Sequence, residues 1–247
     1  MKSMKAAKPA RKRGDPHTLA IDIGGTGLKA SVLDGSGQML VKRVRVDTPY
    51  PCRPDILLHT LSELIEPLPG FDRISIGFPG VVRNERVITA PHFGTESWRD
   101  YPLAQALADQ LGKPARLLND AEVQGLGIVT GKGLEVVLTL GTGVGSAVFS
   151  DGKLAPHLEL AHHPIHKSMS YNDYVGDAAL HEHGKKKWNK RVLKMIDIVN
   201  SLLNYDWLYL GGGNSAHITV DLPENVRLAS NDAGITGGVH LWDAAFG

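Results

Sequence analysis

Two short glycine loops do most to limit what this chain can become: Asp22 to Lys29, DIGGTGLK, and Leu138 to Gly145, LTLGTGVG. Each follows an apolar run rich in branched residues, Leu19–Ile23 in one case and Val136–Leu140 in the other, which is the pattern of a buried strand. Each therefore predicts a strand ending in a tight, glycine-opened turn. Without a Cβ, such a turn lets main-chain N–H groups approach an anion closely. Taken singly, either loop reads as a β-hairpin turn between antiparallel strands. A facing pair would clamp a chain of phosphates. Asp22 ends the first strand where it can hold a metal, Thr26 and Thr142 offer hydroxyls, and Lys29 adds a cation. These parts suit phosphoryl transfer, in which positioning and charge neutralisation supply most of the catalysis.

With 247 residues and 42% hydrophobic content, the chain can bury a substantial core as one large domain or two lobes. No apolar run approaches the about 20 residues that span a bilayer, and no apolar segment precedes a cleavage site at the N-terminus. A cytoplasmic protein without a membrane partner is expected. The single cysteine, Cys52, cannot form an internal disulfide and offers no cysteine cluster for zinc. The formal charge of +1 argues against a general polyanion binder, but the basic residues are unevenly spread. Residues 1–16 hold Lys2, Lys5, Lys8, Arg11, Lys12 and Arg13, too few apolar groups to fold, and read as a disordered arm.

Leu19–Ile23, Leu28–Leu33 and Met39–Val46 predict three consecutive strands, the last two joined by a turn at Asp34-Gly35-Ser36-Gly37. Ile56, Leu57, Leu61, Leu64 and Ile65 recur at helical spacing until Pro67. Arg73–Phe78 is the next strand, Val81–Thr89 a hairpin excursion, and Leu103–Leu111 a helix ended by Gly112. Ala115–Leu118 predicts a strand that delivers Asn119-Asp120 at its C-terminal end, where α/β sheets bind ligands, and Ala121–Val129 a helix. The second half repeats this grammar: Val136–Leu140, the glycine loop, Gly145–Phe149, then a turn at Asp151-Gly152. Two lobes of similar topology follow, 17–118 and 119–247, facing each other across a cleft. Asp173–Leu203 reads as mostly helical, Trp207–Leu210 as a strand, and Ala233–Ala245 as a final helix that packs back on the first lobe.

Asp120 is placed for chemistry because a sugar hydroxyl needs a carboxylate to accept its proton as the bond to phosphorus forms. Asn119 supplies both a donor and an acceptor, the pattern that grips a vicinal diol. An Asn-Asp pair before an apolar helix also reads as an N-cap, and the two roles are compatible. Glu159 and His162, three apart, can face one substrate. His157, His162, His163 and His166 raise metal binding, but no cysteine or second carboxylate stands at ligand spacing, so no structural zinc is expected. His163 and His166 take no role in this reading.

DIGGTGLK, the GFPG of Gly77–Gly80, Asn119-Asp120, LGTGVG, the E-x-x-H of Glu159 and His162, and the LGGGN of Leu210–Asn214 occur in an order that resembles the ROK family of sugar kinases. The resemblance covers about residues 18–247, and within the family the run from Gly141 to His162 is most similar to the polyphosphate glucokinases. It implies an α/β, two-lobed actin-like ATPase (ribonuclease H-like) fold with a cleft between the lobes. It also implies roles. Asp22, Gly24, Gly25, Thr26 and Lys29 would form the first phosphate loop, and Gly141, Thr142, Gly143 and Gly145 the second. Gly212 and Gly213 would abut the nucleotide or its equivalent. Gly80, Asn119, Glu159 and His162 would hold a hexose, with Asp120 the general base. Mg²⁺, carried by Asp22 directly or through water, and polyphosphate or ATP as donor complete the set. The chain departs from the family in three places: its zinc cluster is absent, Ala161 replaces a usual glycine, and His92 stands where Asn is common. Repressors also occur in the family, so a non-catalytic sugar sensor is the alternative. Those carry an N-terminal DNA-binding domain, whereas about 16 residues precede the first strand here, so DNA is not an expected partner. Homodimers are common in the family.

A second basic cluster lies in the predicted helix. Over Gly184–Asn200, Lys187, Lys190, Arg191 and Lys194 follow i, i+3, i+4, i+7 and make one stripe. It reads as a solvated face, as a contact for an acidic partner or, given the resemblance, as a track that attracts polyphosphate.

Overall fold

The computed structural model describes residues 14–230 and 232–243. The basic arm expected over residues 1–16 falls, for residues 1–13, outside the described residues, as do the last residues of the expected C-terminal helix.

In the first lobe β1 (Thr18–Ile23) and β2 (Leu28–Leu33) form an antiparallel hairpin around the first glycine loop, with β3 (Val44–Val46) beyond β2. The helix α1 (Pro54–Ile65) begins with proline in its first turn and buries Leu57, Leu61, Leu64 and Ile65, as the spacing predicts. It returns the chain so that β4 (Arg73–Phe78) lies parallel to β1. A small hairpin, β5 (Val82–Arg83) and β6 (Arg86–Val87), and the helices α2 (Thr95–Trp98) and α3 (Leu103–Leu111) then lead to β7 (Ala115–Asn119), parallel to β4. Gly112 stops α3 in the left-handed conformation at φ 64°. The sheet order is β3-β2-β1-β4-β7. Its core gathers Ile21, Leu57, Leu61, Ile76, Phe78 and the fully buried Trp98.

After α4 (Asp120–Leu126) the second lobe builds the same sheet again. β8 (Leu134–Leu140) and β9 (Val144–Ser150) form the hairpin around the second glycine loop, and β10 (Lys153–Leu154) pairs with β9. A short hairpin, β11 (Pro164–His166) and β12 (Met169–Ser170), precedes α5 (Tyr171–Val175) and α6 (Asp177–Leu203). β13 (Trp207–Gly211) and β14 (Val226–Leu228) complete the order β10-β9-β8-β13-β14, with β8, β13 and β14 parallel. The repeated grammar of the sequence is thus a repeated topology, and both glycine loops are hairpin turns.

The helix α4 joins the two sheets. Val123 and Leu126 pack with Val137 and Phe149 of the second sheet. At Gly125 a Cβ would lie 2.4 Å from the Phe149 ring, and at Gly77 it would meet the Asp120 backbone at 3.4 Å. Small residues therefore let α4 pack closely on both sheets, its start against β4 and its last turn against Phe149 of β9.

Three expectations are corrected, and the mostly helical stretch Asp173–Leu203 holds with two breaks. The strand expected over Met39–Val46 is regular only at Val44–Val46. Met39 makes an isolated bridge to Leu33, and Leu40 and Val41 are exposed at the sheet edge with no layer to bury them. The helix expected over Ala121–Val129 ends at Leu126. The long helical stretch divides at Gly176 and breaks again at Gly184, whose φ of 72° is outside the helical region. The C-terminal segment is not one helix: α7 (Ala233–Thr236) passes into a 3₁₀ turn over Gly237–Trp242. Close packing explains this turn, since a Cβ at Gly237 would lie 2.0 Å from the Val123 carbonyl of α4. The segment packs on the first sheet. Gly238 O accepts from Ser75 Oγ, Trp242 Nε1 donates to the same hydroxyl at 2.8 Å, and the Trp242 ring lies between Arg73 and Arg116 at 5.2 and 4.9 Å.

Candidate active site

A cavity of about 530 Å³ lies between the two hairpin loops, lined by both sheets and by the N-terminus of α4. Asp22, Gly24, Gly25, Thr26, Lys29 and Gly80 line it from the first lobe. Asn119 and Asp120 form its floor; Gly141, Thr142, Gly143, Gly145, Glu159, His162, Gly212 and Gly213 line the opposite wall. The basic stripe of α6 is elsewhere, in a separate pocket.

Strand register places the first-loop charges. Asp22 and Lys29 are direct cross-strand partners in β1 and β2, so their side chains share a face, and Lys29 Nζ donates to Asp22 Oδ2 at 2.9 Å. The loops are held by a few bonds. Gly24 N–H donates to Gly27 O at 3.0 Å, Gly141 N–H to Gly143 O at 2.9 Å, and Val144 N–H to Asn172 Oδ1 at 2.7 Å. Among the described residues the N–H groups of Gly25, Thr26, Thr142 and Gly143 have no protein acceptor. Free main-chain donors on four cavity-lining residues are the kind of group that can cradle an anion.

The side chains of Asn119 and Asp120 are engaged differently. Asn119 caps α4 in a capping box. Its Oδ1 accepts from Ala121 and Glu122 N–H at 2.9 and 3.3 Å, while Glu122 Oε2 accepts from Asn119 N–H. Its amide donates to Gly80 O at 3.0 Å and is 3.4 Å from Phe78 O, which ties the GFPG turn to the helix start. Asp120 is left with one bond, accepting from Ala121 N–H at 2.9 Å. Burial, then the negative charges of Asp22 and Glu159, push its carboxyl up to about 7.

A model of the ROK family matches residues 18–167. The chain belongs to the ROK family. Polyphosphate glucokinase of Mycobacterium tuberculosis (strain H37Rv) is 31% identical over 237 residues, which are 90% of this chain and 89% of that protein. Inorganic polyphosphate/ATP-glucomannokinase from Arthrobacter sp. strain KM superposes with a TM-score of 0.82 at 28% identity, over 92% of this chain and 98% of that one. A ROK family glucokinase from Streptomyces griseus, in complex with glucose and AMPPNP, shares the fold at TM-score 0.76 and 19% identity, over 91% and 98% of the two chains. The two-lobed actin-like, hexokinase-like fold is therefore that of this ROK protein.

Two histidines without an assigned role, His157 and His92, also border the site. His157 Nδ1 lies 2.8 Å from Glu122 Oε1, and its Nε2 lies 3.5 Å from Glu159 Oε2, so one imidazolium bridges the capping carboxylate and the cavity carboxylate. Glu122 and then Glu159 raise His157 to about 9 against the opposing effect of burial. For Glu159, burial works upward, but His157 and the Ala161 N–H outweigh it and hold the carboxyl below its ordinary value. His92 lines the cavity and is lowered by burial and then by His162. Only the run of histidines hinted at any of this, because Glu122 and His157 are 35 positions apart. Among the described residues no three His, Cys, Asp or Glu side chains converge as metal ligands, and no helix is long and apolar enough to cross a membrane.

A pH-dependent stability follows from His157. Its raised pKa stabilises the fold fully below the unfolded value of about 6.5, and that stabilisation fades as pH rises through about 9. His157→Gln is expected to cost on the order of 2 kcal/mol at pH 6. The deficit should shrink at pH 10. Thermal melts of both proteins at the two pH values check it, and an equal deficit at both would show that the bridge is uncharged.

Proposed function

We propose that the chain is a sugar kinase that transfers a phosphoryl group from polyphosphate, ATP or both to the 6-hydroxyl of glucose or a closely related hexose, with Asp120 as general base. The observation that carries this reading is a carboxyl that burial raises to about 7 on the cavity floor, between two loops that each keep two N–H donors free among the described residues. In the transfer, the hydroxyl oxygen attacks the terminal phosphorus, the bond from phosphorus to the leaving phosphate oxygen breaks, and the hydroxyl proton passes to Asp120. The free N–H groups of Gly25, Thr26, Thr142 and Gly143, with Lys29, hold the phosphates against the attacking oxygen. Glu159, kept anionic by His157, accepts from sugar hydroxyls, and His162 and the Asn119–Gly80 turn frame the ring. A sugar sensor that transfers nothing has no use for a carboxyl of this pKa beside phosphate cradles. The 31% identity to polyphosphate glucokinase and the glucomannokinase likeness support both the acceptor and the donor.

The charge balance of the cleft favours a cation. Asp22, Asp120 and Glu159 face it with Lys29 paired to Asp22, and the charges of Asp22 and Glu159 add to burial in raising Asp120. One carboxylate with donor phosphates and water is an ordinary Mg²⁺ ligand set, and Asp22 fits that role. When bound, the ion would neutralise charge on the donor phosphates.

The test is a panel of ATP, GTP and polyphosphate against glucose, mannose and N-acetylated hexoses, with glucose-dependent turnover expected. The pH profile of kcat/KM should rise tenfold per unit below about 7 and then level, because only the ionised carboxylate accepts a proton. A profile flat down to pH 5 would remove Asp120 from the role of base.

A further inference from the structure

The basic stripe of α6 lines a second, shallow depression that is open to solvent. Lys187, Lys190, Arg191 and Lys194 are joined there by His166 of β11 and Tyr174 of α5. Arg191 is fixed in place. Its Nη1 donates to Tyr174 O at 3.2 Å, and its guanidinium lies 4.7 Å from the centre of the Tyr174 ring. The His166 ring packs on the same tyrosine at 5.5 Å, with Nδ1 3.4 Å from Lys194 Nζ. Among the described residues none of the four cations is paired with a carboxylate. The uncompensated field is felt by His166, which Lys194 first, then burial, Lys167 and Arg191 hold below its ordinary value.

We propose that this pocket binds oligophosphate, as a holding site for the distal stretch of a polyphosphate chain whose end reacts in the cleft. The inference rests on polyphosphate being a donor, as proposed above. Three point-charge ammonium groups and one preorganised guanidinium suit a flexible polyanion of closely repeated oxygens. The pocket is also close to the second phosphate loop. On the five-residue helix α5, Asn172 lines the cleft and accepts from Val144 N–H, and two positions on Tyr174 lines the basic pocket. A helix is about 10 Å across, so a long chain passing round α5 occupies both sites, whereas tripolyphosphate or ATP seated in the cleft ends before the second.

The test compares wild type with Lys187→Gln/Lys190→Gln/Lys194→Gln, which leaves Arg191 and its packing intact, and with a second variant that adds Arg191→Gln. Donors are long-chain polyphosphate, tripolyphosphate and ATP, each at two salt concentrations. The triple variant should raise KM for the long chain about tenfold or more and flatten its salt dependence, with little change for ATP and tripolyphosphate. Unchanged or equally changed KM values for all donors would overturn the site. Binding of long-chain polyphosphate to the glucose-free protein, measured by calorimetry, separates this proposal from the donor reading. A wild type that binds the chain through these lysines but never transfers from it keeps the site and loses the donor. A wild type that transfers from it with no contribution from the lysines does the reverse. The His166 imidazole titration followed by NMR should move upward when tripolyphosphate alone is added at concentrations that fill the pocket. Duplex DNA held as tightly as long-chain polyphosphate would overturn the assignment to oligophosphate.

Discussion

Asp120→Asn is expected to lower kcat by ~10²–10⁴ while glucose binds with near wild-type affinity. The amide has the shape of the carboxyl and keeps an oxygen for the Ala121 N–H, so the floor of the cavity is preserved. What it loses is the capacity to take the hydroxyl proton. Stability should move the other way. A carboxyl raised to about 7 by burial costs the folded state free energy at every pH above its unfolded value near 3.8, and the neutral amide removes that cost. The variant should therefore melt at the wild-type temperature or above it at pH 8. Calorimetric glucose binding, turnover and a thermal melt together check it. Near-normal kcat would show that another group takes the proton, and a lower melting temperature with lost binding would show that the residue is structural.

Gly212→Ala has the second large effect. Gly212 adopts φ 80° and ψ 166°, and a Cβ there would lie 2.3 Å from the Leu140 carbonyl oxygen and 2.6 Å from its nitrogen. Leu140 ends β8 and leads into the second phosphate loop, so relief of the clash must part the β13 turn from that loop. A strained backbone and a displaced strand end together are expected to cost about 3 kcal/mol or more. That lowers Tm by roughly 6–12 °C for a domain of this size. Gly213→Ala is the control: no atom lies within 4 Å of its Cβ position, and its stability should change by less than about 0.5 kcal/mol. Equal melting temperatures for the two variants would mean that β13 and the loop are not in close contact.

Local chemistry was legible where it was strong and short-range. The bounds of β2, β4 and α3 coincide with those read from alternation, helical spacing and Gly112. Less was legible where the outcome depends on what lies opposite. Leu40 and Val41 carry strand-forming character but meet no second layer, so Met39–Val46 is not one strand. The glycines of the C-terminal segment looked compatible with a helix, whereas contact with Val123 at Gly237 makes it a 3₁₀ turn. Asn119 carried two compatible readings, and its side chain is engaged at both ends, Oδ1 in the capping box and the amide on Gly80 O.

By itself the sequence determined that two strand–glycine-loop–strand units would be formed, because branched apolar alternation and turn-permissive glycines act within a few residues. It also set Asn119-Asp120 at the end of a strand and the start of a helix, where a cap and a carboxyl at the ligand-binding end of the sheet are the natural outcome. Only the tertiary structure brought Asp22, Asp120 and Glu159 into one poorly solvated space, where burial and then the charges of Asp22 and Glu159 raise Asp120. It alone set His157 between Glu122 and Glu159, and folded the α6 stripe against His166 and Tyr174. Charge and burial act through space, so groups from distant parts of the chain acquire these properties only once packing has placed them together.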